Sequence, residues 1–297
     1  MARTSRLLLA FLIGVGAATL PPPTRLIASP AEKPAGESAI LKAAANTADI
    51  PFEPYDFQVE EQLLALANQS RRQAGAPPLM IDAGLSRAAR IHAQAMLEAR
   101  RLSHQFDGEP PLPQRLAATT NLQLEQEGEN LALDYDAQHG HEHLMLSPPH
   151  RANLLNPAYN VVGLGVVRNG DRLYIVQDFG SALPKYSSAE VKDRVAAAVN
   201  QMRRTAGRAG LQRRDWLGAD NAACSMAQAD KLGTSPVRRL AESYNVLTFT
   251  SLRPESLPAE ARRVVAGRNL RNYSVGACYG RSHTYPTGTY WIVLSLE

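Results

Sequence analysis

The chain has 297 residues, 44% hydrophobic and 20% charged, with a formal net charge of +4. This is the balance of a globular protein long enough for one large or two modest domains, and it excludes a fibrous or wholly disordered chain. The net charge conceals an asymmetry, because 15 Lys and Arg face 19 Asp and Glu in residues 1–181, against 17 and 9 in residues 182–297. A basic C-terminal half suits an anionic envelope surface. Nucleic acid is not expected as a partner, since aromatic interleaving and a concentrated basic patch are absent.

Arg3 and Arg6 precede an apolar run from Leu7 to Leu20, and three prolines follow. The pattern predicts a secretory signal peptide over residues 1–28, because the run is short for a bilayer span; an uncleaved anchor is the alternative. No transmembrane segment is expected beyond this leader, and the protein is expected to be secreted or periplasmic. Residues 29–56, rich in Pro, Ala, Glu and Lys without a period, read as a linker. Val59, Leu63, Leu66 and Ser70 then follow a helical spacing that ends near Gly75. In a second helix Leu85, Ala89, His92 and Met96 share one face, with Asp82 as N-cap and His92 as a hydrogen-bonded core residue.

Three short polar motifs come next: His104, then Gly128-Glu129-Asn130-Leu131, then Ser147-Pro148-Pro149-His150-Arg151. Imidazole binds metals and exchanges protons near neutral pH, and a neighbouring carboxylate orients it or acts beside it. Glu129 at a helix start, satisfying backbone donors, is the structural alternative, as are hydrogen-bonded structural roles for His104 and His150. His139-Gly140-His141-Glu142-His143 lacks the His-Glu-x-x-His order of zinc proteases and is expected to be a solvated turn, or else a secondary metal site. Ser103 and Ser147 lie near histidines, but neither sits in a Gly-x-Ser-x-Gly elbow. Val161–Val167 and Leu173–Phe179 flank Asn169-Gly170, a β-hairpin signal.

The octapeptide Asn68–Gly75 recurs as Asn200–Gly207 with six of eight residues identical. A helix through Asp220, Ala223 and Ala227 and a closing hairpin through Tyr273–Tyr279 and Tyr290–Leu296 follow it. The chain therefore reads as two related α/β units, at 57–181 and 188–297. The second has no counterpart of His104, Glu129 or His150, and serves as an eroded copy or as a stabilising or regulatory module. Cys224 and Cys278 are the two cysteines; in an exported chain they are expected to form a disulfide, with two buried thiols as the alternative.

In order and wording, the motifs from about Glu60 to Gly180 resemble the CAP superfamily (cysteine-rich secretory proteins, antigen five and pathogenesis-related proteins), especially its bacterial SCP-like branch. The resemblance implies an α-β-α sandwich, followed here by a degenerate CAP-like unit, and a cleft where two histidines and acidic residues hold a divalent cation such as zinc. Carried over, the cleft falls on His104, Glu129 and His150, with Ser147 beside them and His104 and His150 as metal ligands. Ser147 stands where many animal members carry a second acidic residue, with Glu142 out of register. Leu144 stands where bacterial members usually have tryptophan. The expected function is the binding of a small-molecule, lipid or peptide ligand in that cleft. Two alternatives are a metal-assisted hydrolase of envelope peptides or esters with Glu129 as catalytic base, and a structural or interaction protein of the envelope.

Overall fold

The computed structural model describes residues 9–10 and 55–297. The expected leader and linker lie outside them, apart from Leu9–Ala10, a two-residue strand β1, and Tyr55–Asp56. The first half runs α1 (Phe57–Gln73), β2 (Met80–Ile81), α2 (Ala83–Ala99), α3 (Leu112–Thr119), β3 (Gln123–Asp134), α4 (Ala137–Leu146), α5 (Pro148–Leu155), β4 (Val161–Asn169) and β5 (Arg172–Leu183). The strands form one sheet in the order β2-β4-β5-β3, parallel between β2 and β4 and antiparallel elsewhere. The centre of β5 is buried throughout, from Leu173 to Ser181. Such a strand reads as a continuous apolar run because both its faces are covered. On one face Leu63 of α1, Leu144 of α4 and Leu154 of α5 pack on Leu164, Val166 and Ile175. On the other, Ala89, Ala93 and Met96 of α2 pack on Leu131 and Val176, which completes an α-β-α sandwich.

Local sequence accounts for the helix ends. The Asp82 side chain accepts from Leu85 N at 2.8 Å, as expected of an N-cap. Gly75 takes the left-handed φ of +72° just after α1. Two local expectations need correction. In the hairpin Asn169 pairs with Arg172, so the turn centres on Gly170-Asp171, one residue later than expected; Gly170 has a φ of +61°, the requirement for glycine at the first central position. The histidine cluster is a helix, not a turn, because Asp136 caps α4 by accepting from His139 N at 2.8 Å. Helical rotation then separates the imidazoles: His139 reaches Asp136, the buried His141 reaches Ser70 Oγ at 2.8 Å, and His143 reaches Asp134 at 2.6 Å.

The second half runs α6 (Ser188–Thr205), β6 (Gln212–Arg213), α7 (Leu217–Ala229), α8 (Ser235–Ala241), β7 (Asn245–Ser251), α9 (Ala261–Val265), β8 (Asn272–Gly280) and β9 (Thr289–Leu296). Its sheet, β1-β7-β9-β8-β6, repeats the first pairing sense for sense, with β6 parallel to β8 and the β8–β9 and β9–β7 pairs antiparallel, and adds β1 parallel to β7. The repeated octapeptide explains part of this. Buried Arg71 donates to Pro77 O, Leu154 O, Asn156 O and Tyr159 O, tying α1 to the chain after α5. Arg203 donates likewise to Ala209 O, Val265 O and Gly267 O. A Cβ on Gly165 would lie 2.2 Å from the Ala89 carbonyl carbon, and one on Gly276 the same distance from that of Ala219, so each sheet admits its helix backbone through a glycine.

Cys224 of α7 and Cys278 of β8 form the expected disulfide. Between the halves, Arg281 donates to Ala117 O at 2.8 Å and Thr120 O at 2.7 Å, and Arg253 makes a two-pronged pair with Glu125 at 2.6 Å. Most arginines of the basic half are exposed, among them Arg204, Arg239 and Arg263.

Candidate functional site

His104 lies on the loop between α2 and α3. That loop begins where Arg100 ends α2 in the left-handed conformation, with φ of 51°, and closes at Pro111, the cap of α3. The His104 side chain is 63% exposed, and its Nδ1 lies 2.8 Å from Glu129 Oε1. Glu129 is not at a helix start. It sits in β3 on the face covered by α2, and its side chain is only 4% exposed. Arg115 of α3 reaches the other oxygen, Oε2, at 2.6 Å, and donates to Glu109 Oε1 at 3.0 Å and to His104 O at 3.3 Å. The α2–α3 loop, through His104 and Glu109, strand β3, through Glu129, and α3, through Arg115, thus form a chain of alternating charge at the sheet edge.

His92 is the buried, hydrogen-bonded residue expected from its helix face, with Nδ1 2.7 Å from Glu109 Oε1 and Nε2 2.8 Å from Ser103 O. It also lies 3.8 Å from Glu129 Oε2, so it supports the His104 loop from beneath the site. His150 comes from α5. Its carbonyl accepts from Asn130 Nδ2 at 3.0 Å, while Asn153 Nδ2 donates to Asn130 Oδ1 at 3.0 Å and Glu129 O at 3.2 Å. These amides clamp α5 onto the strand residue next to Glu129. Ser147 joins α4 to α5 as a half-buried residue whose hydroxyl does not cap α5. Glu142 is exposed and accepts from Gln138, outside the cluster.

Sequence reasoning missed Asp178 and Glu109. Asp178 stands opposite both Glu129 and Gly163 across the sheet and is 1% exposed. The available signal was a carboxylate in the apolar run Leu173–Phe179. Burial first, and then the charge of Glu129, raise the Asp178 pKa well above the ordinary range, so the neutral carboxyl is hydrogen-bonded to Glu129. Glu109 behaves oppositely: burial works against its charge, but the Phe106 N–H, His92 and Arg115 together hold its pKa below the usual value. The His150 pKa is lowered by burial and then by the charge of His104, which leaves its imidazole more readily neutral.

A carboxyl whose pKa is raised in the folded state binds its proton more tightly there than in the unfolded chain. Its contribution therefore favours folding in acid and is lost as pH climbs through the raised value. Asp178→Asn keeps a donor to Glu129 and cannot ionise. The variant is expected to exceed the native chain in stability by about 1–2 kcal/mol at neutral pH and to lose most of that advantage by about pH 4, as read by urea unfolding. No change at either pH would mean that Asp178 is ionised and matched.

Chemically, the arrangement fixes one imidazole from behind. A neutral imidazole that donates through Nδ1 to this carboxylate keeps Nε2 as an acceptor or ligating atom. Both Glu129 oxygens are engaged, by His104 and Arg115, so Glu129 orients His104 and does not stand free to take a proton from water. Among the described residues no group of three or more His, Cys, Asp or Glu is placed to hold a metal ion, in the α4 cluster or elsewhere. The strand register shows what the second half has in the same place. The row Glu129, Asp178, Gly163 across β3, β5 and β4 corresponds to Val246, Ser295, Ser274 across β7, β9 and β8.

Residues 64–179 match the family described as CAP, the cysteine-rich secretory protein family. A relative in Bacillus subtilis (strain 168), the uncharacterized protein YkwD, is 31% identical over 115 residues, covering 37% of this chain; the chain spans 43% of that protein's length. An extracellular protein containing a SCP domain from Bacillus anthracis is 26% identical over 42% of this chain and 41% of its own, with a TM-score of 0.38. An outer surface protein from Borrelia burgdorferi is 20% identical, covering 42% of this chain and 94% of its own, with a TM-score of 0.40.

Proposed function

Residues 64–179 are a CAP domain, and from that premise we propose that the protein is exported and binds a ligand at the sheet edge formed by His104, Glu129 and His150. The observation that carries this is the exposed His104 imidazole held at 2.8 Å by a buried carboxylate that Arg115 in turn holds. His92, by contrast, is buried with both nitrogens bonded. Export is supported by the leader-like residues 1–28 and by the disulfide, which persists in oxidising compartments. Among the described residues no helix is long and apolar enough to cross a membrane.

The donor set suits a divalent cation held through the imidazoles of His104 and His150. Glu129 fits behind His104 as an orienting carboxylate, the usual outer partner of a ligating imidazole. With two protein donors, the remaining positions fall to the ligand and water. When bound, the cation supplies a Lewis-acid centre that polarises a ligand oxygen. The chain's own residues orient His104, keep His150 neutral and hold the two elements together through Asn130. Ligand binding is favoured over hydrolysis because the carboxylate a hydrolase would use as base is buried and doubly engaged.

Calorimetric titration of zinc into the chelator-stripped full chain, beside the His104→Ala/His150→Ala double variant, tests this reading. The double variant is expected to lose one site, or at least tenfold in affinity, about 1.4 kcal/mol, while its unfolding free energy moves by less than about 0.5 kcal/mol. A His139→Ala/His143→Ala variant is expected to keep that site. Unchanged zinc binding in the first variant, or a stability loss of about 1–3 kcal/mol, would assign the histidines a structural role.

A further inference from the structure

The second half has a recess where the first has its site. α2 begins six residues before Ala89, the residue seated on Gly165, whereas α7 begins two residues before Ala219, the residue seated on Gly276. One helical turn is therefore missing over the second sheet. In the first half that turn lies on Gly163, where a Cβ would come within 2.1 Å of the Leu85 carbonyl carbon. Its counterpart in the register is Ser274, which a helix backbone at that distance would not admit. The missing turn leaves a recess of about 270 Å³, lined by Trp216, Tyr244, Ser274, Ser295, Asn272 and Arg214.

We propose that this recess is a second ligand site and that it takes a neutral sugar ring. Trp216 is 43% exposed although it is a large aromatic, and it lies at 6.2 Å from Tyr244, tilted by 43°, so two ring faces border the opening. Trp216 is held in place, since its Nε1 donates to Ser274 Oγ at 3.1 Å and its ring rests over Gly218. Ser274 and Ser295 are 2.6 Å apart and both buried. Whichever of them donates to the other, the chain from indole to hydroxyl to hydroxyl leaves one O–H proton without a protein partner. A buried hydroxyl with a donor to spare suits a ligand that brings acceptors.

The rim decides the class. Asp215 is paired with Arg213 at 2.7 Å, so Arg214 and Glu297 face the recess as one charge of each sign, and Asn272 adds an amide; the recess offers donors and acceptors without a net sign. An anion or a metal cation finds no excess of opposite charge there. A pyranose, with an apolar C–H face and an edge of hydroxyls, matches aromatic faces flanked by planar polar groups, and the volume is that of a small ligand.

The full chain has two tryptophans, and Trp291 is 2% exposed, so a ligand-induced change in emission reports Trp216. The probes are N-acetylglucosamine and its β-1,4-linked dimer and tetramer, with cellotetraose and maltotetraose beside them, read by fluorescence and calorimetry. At least one is expected to shift the emission saturably. Trp216→Ala and Asn272→Ala should each weaken calorimetric binding about tenfold or more, while Trp216→Phe, which keeps a ring face, should lose less than Trp216→Ala. No response from any probe at about 10 mM would overturn the proposal, as would sugar binding that survives both Asn272→Ala and Trp216→Ala. Saturable binding of tetramethylammonium without any sugar response would overturn it too, assigning the aromatic faces to a cation.

Discussion

Replacing Arg115 with methionine is expected to cost about 3–5 kcal/mol of unfolding free energy at neutral pH, the scale of breaking a buried ion pair by removing one partner. The guanidinium, 8% exposed, is the cation that bridges Glu129 and Glu109, at 2.6 and 3.0 Å. Without it, two carboxylates and the neutral Asp178 share one buried corner. The pH dependence has a definite sign. Glu109 is held below its ordinary range, so its contribution is present above the unfolded value and fades as pH falls through the folded one. Arg115→Met removes part of that contribution, and the deficit against the native chain should narrow on acidification. Urea unfolding at neutral pH and at about pH 3, below the unfolded glutamate value, measures both quantities. Adding Glu129→Gln should recover part of the loss, because the second change removes a charge left unpaired by the first. A strictly additive double variant would place the two side chains in separate environments and contradict the geometry.

Arg71→Ala should have an effect of similar size, about 3–5 kcal/mol, for a different reason. Arg71 is 0% exposed and meets no carboxylate; four backbone carbonyls, at 2.6 to 3.0 Å, take its donors. Three of them, on Leu154 in the last turn of α5 and on Asn156 and Tyr159 in the segment that joins α5 to β4, hold the end of that helix, so losing them frees the helix that carries His150. If His104 and His150 hold zinc as proposed, that affinity is therefore expected to fall together with the stability. Arg71→Lys should rescue little, since one ammonium cannot span the positions that a planar fork reaches. A loss below about 1 kcal/mol would show that water replaces the guanidinium. Arg203, with the same pattern in α6, offers the internal comparison: Arg203→Ala should destabilise the chain and leave zinc binding intact.

Much of this architecture was legible before any coordinates. Helices α1 and α2 follow from their apolar spacing and from Asp82 and Gly75, which are local signals acting within one or two turns. The repeated octapeptide occurs once in each α/β half, and the buried Arg71 and Arg203 show what those eight residues do: the arginine needs the glycine-terminated turn to bring carbonyls around it. His104, Glu129 and His150 were recognisable as a constellation, because each sits in a short polar motif between apolar segments. The misreadings were local as well. The α4 histidines read as a turn because Gly140 and three imidazoles carry weak helix propensity, which the Asp136 cap offsets.

By itself, then, the sequence determined helices α1 and α2, the paired strands β4–β5 and β8–β9 and the residue types at the edge of the first sheet, because period, capping and motif are properties of neighbours along the chain. Only the tertiary structure decided what those residues do. Strand β5 is covered on both faces, so no alternation marked the side on which Asp178 points, and only the β3–β5 register sets it beside Glu129. Glu109 and Arg115 meet Glu129 across a loop and a helix, and that meeting turns a carboxylate readable as a free base into one that holds His104 in place. Likewise the recess beside Trp216 exists because α7 starts one turn late over Ser274, a fact of helix placement on a sheet. The physical reason is the same throughout: charge, burial and access are set by groups brought together from distant segments, and their distances are fixed by packing.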